Sequence, residues 1–367
     1  MFRYYSDFTG RLLREIYGRR GKENIAISPY SVMNLLAIAA QASAGSTRDE
    51  IVGALLPQGT YDELVNSISC LRRVLFGKGF RSSNAVIMKE KITNSIVKDC
   101  EELLNKVFEA ELLVCDDIDI IANEWVYENT GGHITHVINY DPDALVCMIN
   151  AILFQADWKI GYGKSDIKEN RTFTNMDGSI STVTMLSSYE YCVVENKYFT
   201  GFCKPYKNGF SYMVLLPVEE GQSFLIQALR DTDLGNVFHD RYSDGVYVNM
   251  PEFSSDFNLD LAQVCCKMGI KTLFTDRADL SGMCCSELKL GSITHAATIE
   301  VDRYGTRLAA VSSSFYVTGT FQNHEDRKVI VDRPFVYAIM HDESELPVVV
   351  GNVNRLPDSK NKCSGRN

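Results

Sequence analysis

Between Arg307 and His324 the chain runs for sixteen residues without a charge, from Leu308 through Ala-Ala-Val-Ser-Ser-Ser-Phe-Tyr-Val-Thr-Gly-Thr-Phe-Gln to Asn323. The stretch lies between one strand-like segment that ends at Val301 and another that begins near Val329. A connection of this length inside a compact domain is uncommon and usually functional. Its residues are small, β-branched and aromatic, which suits a place in a sheet better than a solvated turn. In extended form Thr306, Leu308, Ala310, Ser312 and Ser314 face one way, and Arg307, Ala309, Val311 and Ser313 face the other. The first set can line a core and the second can meet solvent. The segment reads as a strand held outside its sheet, although spacing alone also accommodates a surface loop or an ordinary hairpin.

The rest of the chain can supply the sheet. Of its 367 residues 45% are apolar and 23% charged, a composition far from that of a disordered chain, and it has no run of about 18 apolar residues to form a membrane helix. Length suggests roughly two or three domains at about 150 residues each. No linker marks a boundary, so one large domain stays open. A balance of 37 basic against 47 acidic residues, net −10, argues against nucleic acid as a partner, because neutralising phosphates needs a basic surface. The N-terminus, Met1-Phe-Arg-Tyr-Tyr-Ser-Asp-Phe-Thr-Gly10, has no basic region leading into an apolar stretch, so no signal peptide is expected and a cytoplasmic location is. Eleven cysteines are scattered without a C-x-x-C pair, which suits free thiols in a reducing compartment.

Tyr5, Phe8, Leu12 and Ile16 recur at helical steps and predict an opening helix that ends near Gly18. Ser28-Pro29 predicts the cap and first turn of a second helix, nearly all apolar from Val32 to Ala42. Thr47-Arg48-Asp49-Glu50 reads as a capping box, with a third helix starting at about residue 48. Leu145–Phe154 is an apolar run typical of a strand buried on both faces. Further strands are expected over 212–217, 246–250 and 346–351. A helix is predicted over Leu259–Met268, closed by Gly269. A helix-rich first third and a strand-rich remainder predict an α+β protein with long mixed sheets.

Enzyme signatures are missing. The chain has no G-x-S-x-G elbow, Walker loop or H-E-x-x-H motif, and Gly161-Tyr162-Gly163 lacks the rest of a nucleotide fingerprint. His133 and His136, three apart, could share a helical face, but no acidic or thiol ligand stands at matching spacing, so no metal is expected. His295, in the apolar segment Ile293–Ile299, fits a hydrogen-bonded structural histidine better than a general base. No catalytic residue, cofactor or enzymatic activity is assigned.

Several motifs in order along the chain resemble those of the serpin family. Ser28-Pro29-Tyr30-Ser31 is similar to its Ser-Pro-x-Ser, and Gly45-Ser-Thr-Arg-Asp-Glu-Ile51 to its Gly-x-Thr-x-x-Glu-Ile. Asn150-Ala-Ile-Leu-Phe154 through Trp158 is similar to its Asn-x-x-x-Phe-x-x-x-Trp. Pro205-Tyr206, Met250-Pro-Glu-Phe253, Ala278-Asp-Leu-Ser-Gly282, His295 and Pro334-Phe335 follow in the family's order. The resemblance implies a single serpin domain over 1–357, with three β-sheets, eight or nine helices and an exposed reactive-centre loop at about 303–328. It also implies a disordered tail over 358–367. Without a signal peptide, the chain resembles the intracellular or poxvirus-type members, and a viral one would act in the host cytoplasm.

The resemblance further implies suicide inhibition of a serine, or alternatively a cysteine, protease. The enzyme attacks the loop and forms an acyl-enzyme, and the upstream half then inserts into the main sheet before water can deacylate it. About fourteen inserted residues at about 3.3 Å each span roughly 45 Å. By the same implication Ser28, Ser31, Asn150 and His295 form a polar shutter beneath the sheet, and Trp158 lies at the breach where insertion starts. The hinge is Gly305, Thr306, Arg307, Leu308, Ala309 and Ala310. Inhibitory members usually carry Glu where Arg303 and Arg307 stand, and Leu308 would point inward, where extra methylenes cost about 1–3 kcal/mol. A non-inhibitory serpin used for binding or structure is therefore the alternative.

Counting fourteen residues beyond Gly305 sets the reactive bond at Gly319-Thr320, with Thr318, Phe321 and Asn323 as alternatives. The loop lacks Arg, Lys and Asp from 308 to 323. That disfavours trypsin-like and caspase-like targets and favours an elastase-like one (Val317, Thr318) or a chymotrypsin-like one (Tyr316, Phe321). The expected state is a monomer, with no membrane and no nucleic acid among its partners.

Overall fold

The computed structural model describes residues 2–76, 79–137, 144–220, 224–225, 227–228, 240–284, 288, 290–306 and 327–358. They form two compact units, one of Met1–Glu15, Ile27–Leu153 and Asp256–Thr298, the other of Ile16–Ala26, Phe154–Ser255 and Ile299–Asn367. Three sheets and seven α-helices stand among the described residues, where the resemblance implies eight or nine helices.

The first unit is helix-rich. Helix α1 (Phe2–Arg20) buries Tyr5, Phe8, Leu12 and Ile16 as their spacing requires, and runs past Gly18. Helix α2 (Pro29–Ala42) starts where Ser28 caps it, the Ser28 Oγ accepting from the Ser31 N–H at 3.2 Å. It is buried on nearly all sides, as its apolar run predicts. Helix α3 (Gly45–Leu55) corrects the expected capping box. Gly45 takes φ +51°, a left-handed conformation that glycine adopts without strain, and the helix starts there rather than at about residue 48. The Thr47 hydroxyl instead accepts from the Asp279 N–H at 3.0 Å, and the Glu50 carboxylate accepts from the N–H groups of Lys271 and Thr272. Both polar groups thus hold a distant segment, which local pattern cannot reveal. Helices α4 (Tyr61–Leu75), α5 (Lys98–Phe108) and α6 (Ile118–Asn129) follow, and α7 is short (Ala262–Lys267). Leu259 and Asp260, expected at the start of that helix, belong to strand β13 (Phe253–Asp260), while Gly269 closes the turn at φ +102°.

The sheet of this unit has the order β3 (Ala110–Cys115), β2 (Phe80–Lys89), β4 (Val146–Phe154), β14 (Leu290–Val301). Strands β4 and β14 are parallel, with Val146 opposite Leu290, Asn150 opposite His295 and Ile152 opposite Ala297. Every described residue of β4 except Leu153 is buried, in line with its unbroken apolar run. Helix α6 lays Ile118, Ala122, Trp125 and Val126 over Ala85, Ile87, Cys147, Ile149, Ala151 and Ala296 of these strands. His133 and His136 lie beyond the end of α6 in non-helical chain, so they share no helical face.

The second unit is strand-rich. One sheet has the order β1 (Ile25–Ile27), β18 (Leu346–Val353), β17 (Phe335–His341), β10 (Phe210–Pro217), β9 (Phe199–Pro205), β8 (Val193–Glu195), β11 (Arg241–Tyr242). A four-stranded sheet runs β16 (Lys328–Ile330), β12 (Val246–Pro251), β7 (Ile180–Glu190), β6 (Ile167–Thr174). The two-residue strands β5 (Ala156–Asp157) and β15 (Gly305–Thr306) pair with each other, and Thr306 also pairs with Val301 at the end of β14. Asp358, the first residue of the expected tail, accepts from the Thr182 N–H at 2.6 Å.

Candidate functional site

The first unit carries a buried polar cluster where an apolar core would be expected. Asn150 projects from the centre of β4, and its Nδ2 lies 2.8 Å from Ser82 Oγ, 2.9 Å from the Ser83 carbonyl and 2.8 Å from Asn84 Oδ1. The Asn150 Oδ1 stands 2.8 Å from His295 Nδ1. On the far side of the ring, Nε2 accepts from the Ser28 N–H at 3.2 Å. Because Nε2 accepts a backbone proton, Nδ1 must carry the ring proton and donate to Asn150, which fixes one neutral tautomer. Burial alone drives the His295 pKa down to about 3. Ser31 completes the cluster by donating to Ser82 Oγ at 2.9 Å.

All four residues that the resemblance places together here, Ser28, Ser31, Asn150 and His295, are fully buried and linked. Ser82 and Asn84 are members that reasoning from sequence missed. Their signal was the alternation in Phe80-Arg-Ser-Ser-Asn84, which sends Ser82 and Asn84 inward with Phe80. Within the cluster these polar groups satisfy one another, and each left orphaned would cost about 1–3 kcal/mol.

The second unit carries the seat of the hinge. Asp302 starts a tight turn, its carboxylate accepting from the N–H groups of Tyr304 at 2.7 Å and Gly305 at 2.9 Å. The turn reverses the chain so that Gly305 and Thr306 enter the sheet between the end of β14 and β5. Gly305 is required there, because a Cβ would stand 1.9 Å from the Ala156 carbonyl oxygen. Thr306 is fully buried, and its hydroxyl meets the Tyr206 hydroxyl at 2.5 Å. Burial pushes the Tyr206 phenol well above its ordinary pKa, so it stays a neutral hydrogen-bonding group.

Trp158 stacks on Tyr206, with centroids 4.5 Å apart and planes 8° from parallel, and donates from Nε1 to the Asp302 carbonyl at 2.8 Å. The Lys204 ammonium lies over the Trp158 and Tyr162 rings and pairs with Glu190 at 2.7 Å, both charged groups being buried. Arg303 also has a partner. Its Nε and Nη2 reach the two Glu252 oxygens at 2.8 and 2.9 Å, and its backbone N–H donates to the same carboxylate at 3.0 Å. Of the hinge, Arg307, Leu308, Ala309 and Ala310 lie outside the described residues. So do Thr318, Gly319, Thr320, Phe321 and Asn323 at the reactive bond.

The sequence matches the model of the family described as Serpin (serine protease inhibitor) over residues 3–356. The chain belongs to the serpin family. Among curated serpins, Iripin-2 of the tick Ixodes ricinus is 26% identical over 94% of this chain and 91% of its own. The serine proteinase inhibitor 2 of Variola virus is 25% identical over 91% of this chain and 96% of its own. Among solved structures, the thermophilic serpin Tengpin in its native state superposes with a TM-score of 0.86 at 25% identity, covering 97% of this chain and 94% of Tengpin. The serpin fold is therefore this chain's fold, and serpins in general are protease inhibitors rather than catalysts. No helix among the described residues is long and apolar enough to cross a membrane.

Proposed function

We propose that this serpin is a suicide-substrate inhibitor, and that its target is a serine protease with a small or aromatic specificity pocket. The observation that carries the reading is the position of Gly305 and Thr306, two residues of the loop already hydrogen-bonded as a strand at the edge of β5. Insertion continues from a strand that has begun. The next residues extend it by parting β4 from β14, whose single parallel ladder runs from Val146–Leu290 to Ile152–Ala297. One ladder is lost and two antiparallel ladders form, at a net gain of about 0.5–1.5 kcal/mol per added hydrogen bond. Ser28, Ser31, Asn150 and His295 then act as the shutter that tightens or yields, and Trp158 with Tyr206 as the breach.

On this reading Gly319-Thr320 is the cleaved bond, with Thr318, Phe321 and Asn323 as the alternatives. The target is elastase- or chymotrypsin-like, and the working form is a cytoplasmic monomer built as one serpin domain. The specific observation on the side of a non-inhibitory serpin is the clamp of Arg303 on Glu252, which holds the hinge turn by charge.

One experiment separates the two. The serpin is mixed with a panel of elastase-like, chymotrypsin-like and trypsin-like proteases and run on a denaturing gel, and the melting temperature of the clipped chain is compared with that of the intact one. An inhibitor gives a covalent band with one of the first two classes and a clipped form that melts far higher. Clean cleavage with an unchanged melting temperature leaves only the binding or structural role.

A further inference from the structure

Two cysteines outside the hinge and the polar cluster stand face to face. Strands β8 and β9 pair antiparallel, Val193 opposite Phe202 and Val194 opposite Gly201. One step back along the ladder sets Cys192 opposite Cys203, whose N–H donates to the Cys192 carbonyl at 3.0 Å. Hydrogen-bonded opposite residues have Cα atoms about 5.5 Å apart, within the range of about 4.4–6.8 Å that a disulfide spans. Both side chains leave the ladder on the same face. Both are free thiols, Cys203 buried and Cys192 partly open to solvent.

Their environments divide the labour. The Cys203 S–H donates to the Cys192 sulfur, and with the nearby Arg241 guanidinium this holds the Cys192 pKa below the ordinary thiol value against the pull of burial and of Asp342. The same hydrogen bond and burial push Cys203 well above it. Burial raises Cys100, Cys115 and Cys265 instead. Among the described cysteines with a displaced pKa, Cys192 alone is lowered. An accessible thiol with thiolate character beside a sealed second thiol is the arrangement that oxidises selectively.

We propose that Cys192 and Cys203 form a reversible disulfide site, oxidised by a hydroperoxide, that staples the link between β7 and β8 to β9. The Cys192 thiolate sulfur attacks a peroxide oxygen, the O–O bond breaks, and the departing oxygen takes a proton and leaves as an alcohol or water. Cys192 is then a sulfenic acid. The Cys203 sulfur attacks the Cys192 sulfur, the S–O bond breaks, and the hydroxide leaves with the Cys203 proton as water. The two thiols lose two electrons and the peroxide gains them. A dithiol reductant reverses the step.

The test uses the full chain and hydrogen peroxide near equimolar amounts, followed by alkylation and peptide mapping. The expected result is one cross-linked peptide pair containing Cys192 and Cys203, lost on treatment with dithiothreitol. In Cys203→Ala and Cys203→Ser, Cys192 instead becomes a sulfenic acid that dimedone traps. Both variants are checked for an unchanged melting temperature. If neither folds, the wild-type map alone decides. The proposal is overturned if Cys192 and Cys203 stay open to alkylation while other thiols oxidise, or if Cys192 pairs with a different cysteine.

Discussion

His295 and Asn150 stand opposite each other on adjacent parallel strands and are joined through their side chains, Nδ1 to Oδ1 at 2.8 Å. On the proposed mechanism the contact crosses the seam that loop insertion opens, which would make the neutral histidine both a strut and a lock. The folded ring resists a proton down to about pH 3, because full burial disfavours its charged form.

Acid should therefore weaken the fold through this residue. The unfolded chain binds a proton at His295 below about pH 6.5, the folded chain only near pH 3. Stability is fully present above about 6.5 and falls as the pH drops toward 3, by a few kcal/mol for a fully buried ring. Urea midpoints at pH 7.5, 5.5 and 4.5 should decline, and His295→Gln should lose part of that slope. A slope identical in the variant would remove His295 as its source.

Gly305→Ala should unseat the hinge. The added methyl meets the Ala156 carbonyl at 1.9 Å, so β15 cannot lie against β5. Thr306 then leaves Tyr206, and the stacked Trp158 gains solvent. A red shift in tryptophan emission and conversion from inhibitor to plain substrate are expected; unchanged emission with full inhibition would show that the seat is not used.

Arg303→Glu places a like charge against Glu252 and removes the two side-chain contacts. With Arg303 about a third exposed, the loss should be on the order of 1–2 kcal/mol. The swap of Arg303→Glu with Glu252→Arg should recover much of it in a double-mutant cycle. A coupling near zero would mean that the pair is mere surface decoration.

Glu190→Ala strands the Lys204 ammonium, which is only 3% exposed. Removing one member of a buried pair costs about 3–5 kcal/mol, whereas Lys204→Met with Glu190→Leu should be close to neutral. Denaturant midpoints of the single and double variants measure the difference. Equal losses in both would point to packing rather than charge.

Features set by neighbouring residues were legible in sequence. The Ser28 cap, the apolar face of α1, the β4 strand and the inward turn of Thr306 all follow from spacing and side-chain type, and the structure has them. Thr47 and Glu50 show where this stops. Their spacing fits a local cap, yet Asp279, Lys271 and Thr272, more than two hundred positions away, compete for the same oxygens and take them. Arg303 teaches the same lesson. It stands where a glutamate is usual, and its partner Glu252, fifty-one positions away, is set by the fold.

What the sequence by itself determined was the order of helices and strands, the ordered motifs of a serpin and an uncharged ribbon whose composition suits a sheet. Periodicity and turn chemistry act between near neighbours, and one chain displays them in full. Only the tertiary structure decided that Asn150, His295, Ser82 and Asn84 would satisfy one another, that Thr306 would be sealed beneath Tyr206, and that Cys192 would meet Cys203. Each of those contacts depends on strand register, and register is settled by the packing of the whole core rather than by any stretch of residues read alone.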